Sequence, residues 1–186
     1  MLDHCSISHK GIHTLEKPCL SNHLNKLIAG GLVLWSRSFT PDASYLASSS
    51  SSPVNSLIRE ALIQGRTTDD KYEKDGYAVK STFVNDLELI FVVAYQRILQ
   101  LTYVDDLMAA MKALFVQLFE PFLTAFVASL HKEIGDLGST MDWNFAKAFD
   151  GWDKLFDKLL KGLEDKAAQG GPLPYIDSSV LKSVRI

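Results

Sequence analysis

Leu87–Asp106 reads LELIFVVAYQRILQLTYVDD, and the assignment of this stretch decides the fold. Its first half, Leu89–Tyr95, is apolar or aromatic and carries no charge. Ile90, Val92 and Val93 are β-branched, and Phe91 and Tyr95 are aromatic, which suits a pleated backbone. An unbroken run of this length beside turn residues predicts a strand covered on both faces. Gln96 and Arg97 interrupt it. Ile98–Val104 is then predicted as a further strand, and Asp105 as the cap of the helical pattern that follows.

Downstream, Leu107, Met111, Leu114, Phe115 and Leu118 form an apolar helical stripe that Phe122, Phe126, Val127 and Leu130 continue. Pro121 either kinks this helix or begins a new piece. Gly135 and Gly138 end it. Asp142 is placed to cap a last helix carrying Phe145, Phe149, Trp152, Phe156, Leu159 and Leu163. Upstream, Asn85-Asp86 predicts a two-residue reversal from a strand at Tyr77–Val84 with one wet face. Arg66–Gly76 reads as a polar loop. Pro53–Gln64 is the best-punctuated helix: Ser52 can cap it, Pro53 is preset for its first position, and Gly65 can close it. Thr40–Ser52, with five consecutive serines at its end, reads as a loop. Gly31–Phe39 reads as a strand through Leu32–Trp35. Met1–Gly11 is a weaker one, and Ser21–Ala29 suits a short helix.

The predicted order is therefore β-β-α-β-β-β-α-α. Short turns make the strands antiparallel. Helices on the faces of a five-stranded antiparallel sheet give an α+β domain. The chain has 186 residues, 47% of them hydrophobic and 22% charged, as expected of one folded domain. A net charge of −3 argues against direct nucleic-acid binding, and no basic stripe is present to grip an anionic bilayer. Two cysteines make no disulfide framework and fit a reducing compartment. Neither Leu27–Trp35 nor Leu114–Leu130 reads as a signal peptide or a membrane span.

Specific sequence words fill this order. Met1–Asp3 (MLD), Gly30–Trp35 (GGLVLW), Pro53–Arg59 (PVNSLIR) and Glu88–Leu107 (ELIFVVAYQRILQLTYVDDL) resemble the N-terminal domain of the signal recognition particle receptor alpha subunit. Asp142–Phe145 (DWNF) resembles it less sharply. The resemblance covers most of residues 1–165 and leaves 166–186 as a flexible tail. It implies a SNARE-like, longin-type fold. It further implies a partner, the GTP-loaded beta subunit, a small GTPase anchored in the endoplasmic reticulum membrane. The chain itself would then hold no cofactor and meet the cytosolic face of that membrane indirectly. It would meet the signal recognition particle through the full-length receptor. Within the family words, Trp35, Asn55, Arg59, Gln96, Arg97 and Asp105 are the candidate partner-binding residues.

Two departures from the family pattern stand out. In the family a first strand ending in Lys-Gly runs straight into Gly-Leu-Val-Leu-Trp. Here Lys10-Gly11 and Gly31 match the two sides, so residues 12–30 read as an insertion of nineteen residues in a tight hairpin. Loop-closure scaling puts its cost at roughly 2 kcal/mol, against the roughly 5–15 kcal/mol by which domains are stable. The family's GTPase domain has no counterpart: no G-x-x-x-x-G-K-[ST] loop is present, so GTP hydrolysis is not assigned to this chain.

No residue set forms an active site. Cys5, His9, His13, Cys19 and His23 are zinc-ligand types but match no compact spacing. Asp105 and Asp106 suit a helix start and its dipole better than general acid–base work. The serine run lacks a G-x-S-x-G elbow. The tryptophans and the phenylalanines of the last helix read as core. The expected function is non-catalytic docking. The alternative is another longin-like trafficking module, such as an adaptor small subunit or the head of a SNARE.

Overall fold

The structure, a computed structural model, describes residues 2–10, 27–28, 31–64, 72–133 and 144–169. Its strands are β1 (His4–His9), β2 (Leu27–Ile28), β3 (Gly31–Ser38), β4 (Tyr72–Lys74), β5 (Tyr77–Val84) and β6 (Leu89–Gln96). Its helices are α1 (Ser44–Ser48), α2 (Pro53–Gln64), α3 (Val104–Glu133), α4 (Phe145–Ala148) and α5 (Trp152–Gln169).

β6 is the strand expected from the central run, and every residue from Leu89 to Tyr95 is buried. Successive side chains on a strand point to opposite faces, and here each face has its own core. Leu89, Phe91, Val93 and Tyr95 join α3 and α5 residues such as Phe115, Trp152 and Phe156. Ile90, Val92 and Ala94 join Leu46 of α1 and Val54, Leu57 and Ile58 of α2. All strand pairs are antiparallel, in the order β2-β3-β1-β6-β5-β4. Among the described residues, five strands carry the sheet and the two-residue β2 extends it at the β3 edge. The result is the predicted α+β architecture with helices on both faces.

α2 starts as its punctuation predicts. Ser52 Oγ accepts from the Asn55 backbone N–H at 3.1 Å and donates to the Leu46 carbonyl at 2.8 Å. α3 is continuous through Pro121. Its Val104–Ser129 stretch is long and apolar enough, by length and composition, to cross a membrane. In this fold Leu107, Met111, Phe115, Leu123 and Phe126 of that stretch lie buried in the core.

Several expectations need correction. Ile98–Val104 is not a strand: Arg97–Leu99 forms one 3-10 turn, and α3 begins at Val104. The fifth strand is instead β4, inside the predicted polar loop. Asp75-Gly76 joins it to β5 with both residues at positive φ (53° and 81°), the twist that a two-residue hairpin turn requires. The β5–β6 reversal takes four residues, Asn85–Glu88, and is closed by Glu88 N–H to Asn85 carbonyl at 3.1 Å. The expected wet face of β5 is partly covered: Ala78 and Val84 pack on the α3 side, while Lys80 and Thr82 between them line an open groove beside α3. Thr40–Ser52 holds a 3-10 turn at Pro41–Ala43 and the short α1. The last helix is split, because Gly151 turns the chain at φ 85° between α4 and α5. Asn144 caps α4, accepting from the Lys147 N–H at 3.0 Å. α5 continues to Gln169, past the predicted end. Leu27–Ile28 are extended where a helix was expected. The remainder of that segment, Gly65, the glycines after α3, Asp142 and the tail from residue 170 lie outside the described residues.

Candidate functional site

The six candidate residues do not converge on one spot. Trp35 is half-buried beneath α5. Its Nε1–H donates to Asp153 Oδ1 at 3.0 Å, and its ring lies 5.0 Å from that of Phe156. Arg37, two residues on, is paired with Asp157 at 2.7 Å. Asn55 is buried, and its side-chain amide donates to the Ser49 carbonyl at 2.8 Å. Arg59 lies on α2, its side chain outside the described residues. Asp105 is not the α3 cap. It sits in the first helical turn and pairs with Lys80 Nζ at 2.5 Å, beside a shallow groove between β5 and α3.

Gln96 and Arg97 are brought together, both exposed, where β6 leaves the sheet. Backbone hydrogen bonds and one ion pair hold them. Asp3, itself buried, accepts the Gln96 backbone N–H on Oδ2 at 3.0 Å. Its Oδ1 accepts from Thr40 Oγ1 at 3.3 Å. The Arg97 backbone N–H donates to the Gly76 carbonyl at 2.9 Å, and its guanidinium reaches Glu73 Oε2 at 3.1 Å. The turn then closes at Gln100 in the left-handed region (φ 43°, ψ 51°), a strained conformation for a residue with a Cβ. Gln96, Arg97, Ile98 and Gln100 face Glu73, Asp75 and Tyr77 across an open cleft. Sequence reasoning missed Asp3, Glu73, Ile98 and Leu99 as parts of this site. The Asp-Gly pair at Asp75-Gly76 was the signal for the hairpin that carries Glu73.

Of the Cys/His group, only Cys5 and His9 fall among the described residues. Cys5 is buried on the α3 side of β1, and burial pushes its thiol well above the usual range, away from the thiolate a metal needs. His9 packs edge-on to Phe126 at 5.3 Å, with its Nε2 3.6 Å from Glu88. His13, Cys19 and His23 lie outside the described residues. Among the described residues, no three His, Cys, Asp or Glu side chains come together as metal ligands. The Gln96–Gln100 turn exposes hydrogen-bonding, charged and apolar groups side by side.

Residues 52–168 match the family model described as signal recognition particle, alpha subunit, N-terminal. This span contains the β4–β5 hairpin, β6, the Arg97–Gln100 turn and α3. Signal recognition particle receptor subunit alpha of Mus musculus is 41% identical over 86 residues, covering 46% of this chain and 13% of the relative. The Homo sapiens protein is 41% identical over the same length, covering 12% of the relative. The Drosophila melanogaster homolog is 34% identical over 141 residues, covering 75% of this chain and 18% of the relative. The chain thus spans less than a fifth of the length of these relatives. Among solved structures, one of the mammalian signal recognition particle receptor aligns with a TM-score of 0.46 at 26% identity, covering 90% of this chain and 98% of that one. An SRβ-GTP/SRX complex from Chaetomium thermophilum aligns at 0.47 and 23%, covering 86% of this chain and 98% of that one. The matched region is the N-terminal part of the alpha subunit. With the family words of β6 and α3 folded into one antiparallel α+β domain, this chain belongs to the family of signal recognition particle receptor alpha-subunit N-terminal domains.

Proposed function

We propose that this chain is a docking domain for the GTP-loaded, membrane-anchored beta subunit of the signal recognition particle receptor. Through that partner it places the receptor on the cytosolic face of the endoplasmic reticulum membrane for co-translational targeting. GTP belongs to the partner; this chain supplies a surface. The observation that carries the reading is the family match over residues 52–168. The exposed Gln96–Arg97 turn within that span gives the role a physical basis. A charged side chain in a pinned turn needs little ordering on binding, so less affinity is lost to entropy. Gln96 and Arg97 are proposed as direct contacts, with Asp105 at the margin. Asn55 is proposed to act by holding the α2 start, Trp35 by holding α5 on the sheet, and Arg59 as a contact from α2.

Such a domain reads the nucleotide state only if it binds the two states of its partner with different affinity. Capture of purified beta subunit, loaded with GTP or with GDP, on the immobilised chain tests this. Capture favouring the GTP form by tenfold or more supports the docking role. Equal capture in both states, or none in either, overturns it.

A further inference from the structure

Among the described residues, three large hydrophobic side chains stay exposed: Tyr45, Ile98 and Leu99. Ile98 is 84% exposed and Leu99 43%, whereas the other large aliphatic side chains among the described residues are buried or partly buried. Ile98 and Leu99 are adjacent in the turn, and Tyr77 links them to Tyr45. Ile98 and Tyr77 line the same cleft, and the Tyr45 ring stands edge-on to that of Tyr77 at 6.0 Å. The turn that presents Ile98 is pinned on one side by Asp3 and on the other by Gly76. One exposed apolar side chain is ordinary on a protein surface, but two adjacent ones on a pinned turn, beside an arginine and a tyrosine, bring together an apolar projection and residue types that dominate interface hot spots.

Charge indicates the occupant. The cleft wall carries the carboxylates of Glu73 and Asp75 against the single Arg97 guanidinium, which is already tied to Glu73. A second copy of this chain would bring a like-charged rim against this one, which disfavours self-pairing. The surface fits a folded partner that offers an apolar socket bordered by a basic side chain. The Arg97–Gln100 turn also lies within the span the family model matches. Resting on the docking role proposed above, we propose that Ile98 and Leu99 are the anchor of the interface with the GTPase subunit. They seat in an apolar socket on that subunit, while Glu73 and Asp75 face its basic rim.

The test compares the wild-type chain with Ile98→Ser and with Ile98→Ser/Leu99→Ser, measuring the Kd for GTP-loaded beta subunit and the melting temperature of each. The expected result is roughly 30-fold weaker binding by the double variant, with Ile98→Ser alone leaving the melting temperature unchanged. Should the double variant melt early, Ile98→Ser decides, because its side chain contributes little to the fold. Wild-type binding with an unchanged Kd for Ile98→Ser overturns the anchor and leaves the docking role standing. Failure of the wild-type chain to bind in either nucleotide state overturns both. Self-association of the wild-type chain that the same substitutions abolish reassigns the patch to a second copy and overturns the proposal.

Discussion

His4 sits on the α2-facing side of β1, 1% exposed, with Nδ1 3.2 Å from Ser38 Oγ. Burial lowers its pKa from 6.5 to about 4, because a cation there would lose its hydration. The folded state therefore binds fewer protons than the unfolded chain between those two values. This contribution to stability is intact above about pH 6.5 and is lost as pH falls toward 4. It amounts to roughly 3 kcal/mol across that window. Urea titrations of wild type and His4→Asn at stepped pH check it: the wild-type curve should fall more steeply between pH 6.5 and 4 than the variant's. Asp3 gives a second prediction at this scale. Its carboxylate satisfies the Gln96 N–H from 93 positions away in sequence. Asp3→Ala leaves that donor unpaired and should cost about 1–3 kcal/mol, read as a lower urea midpoint with an unchanged slope. No local pattern could reveal such a bond. An acidic residue before a first strand looks like any exposed acid until the fold brings β1 beside β6.

The elements were legible where the physics is local and illegible where burial had to be assumed. The uncharged run gave β6, and Ser52-Pro53 gave the start of α2, because strand propensity and capping act within a few residues. Ile98–Val104 has the apolar content of a strand, but Ile98 and Leu99 are exposed and the segment forms a turn into α3. β4 was overlooked although Asp75-Gly76 marks a two-residue turn, since three residues are too few for alternation to register. The first hairpin is a sharper case. β1 and β3 pair with His9 opposite Leu32, so their register closes without residues 12–30. Excising those residues leaves Lys10-Gly11-Gly31 between the paired positions, a three-residue turn with glycine where positive φ is needed. Shortening the loop should stabilise the domain by up to about 2 kcal/mol, offset in part by the lost Leu27–Ile28 pairing to β3. The check is a urea midpoint that rises or holds. A large fall would mean that the excised segment contributes core of its own, and the insertion reading would fail.

At the scale of the molecule, the two cores are not separate bodies, because β6 supplies side chains to both. Leu89, Phe91 and Val93 belong to the α3/α5 side while Ile90, Val92 and Ala94 belong to the α1/α2 side. Melting either core strips one face from the same strand and exposes the backbone that holds the other, so unfolding should be a single cooperative transition. Val92→Ala tests this from the α2 side. Val92 is fully buried, and removing its two methyl groups should cost about 2 kcal/mol, or roughly 4–8 °C in melting temperature for a chain of this size. Trp35 of β3 and Trp152 at the start of α5 lie on the opposite side, so in a Trp143→Phe background tryptophan fluorescence reports the core that was not mutated. Far-UV circular dichroism reports the helices of both. Shared use of β6 requires the two probes to shift together by the same amount. If circular dichroism moves while the fluorescence transition stays in place, the sheet is a partition between two independent halves. A partner docked on the Gln96–Gln100 turn, at the end of β6, would then stabilise one half alone instead of the whole domain.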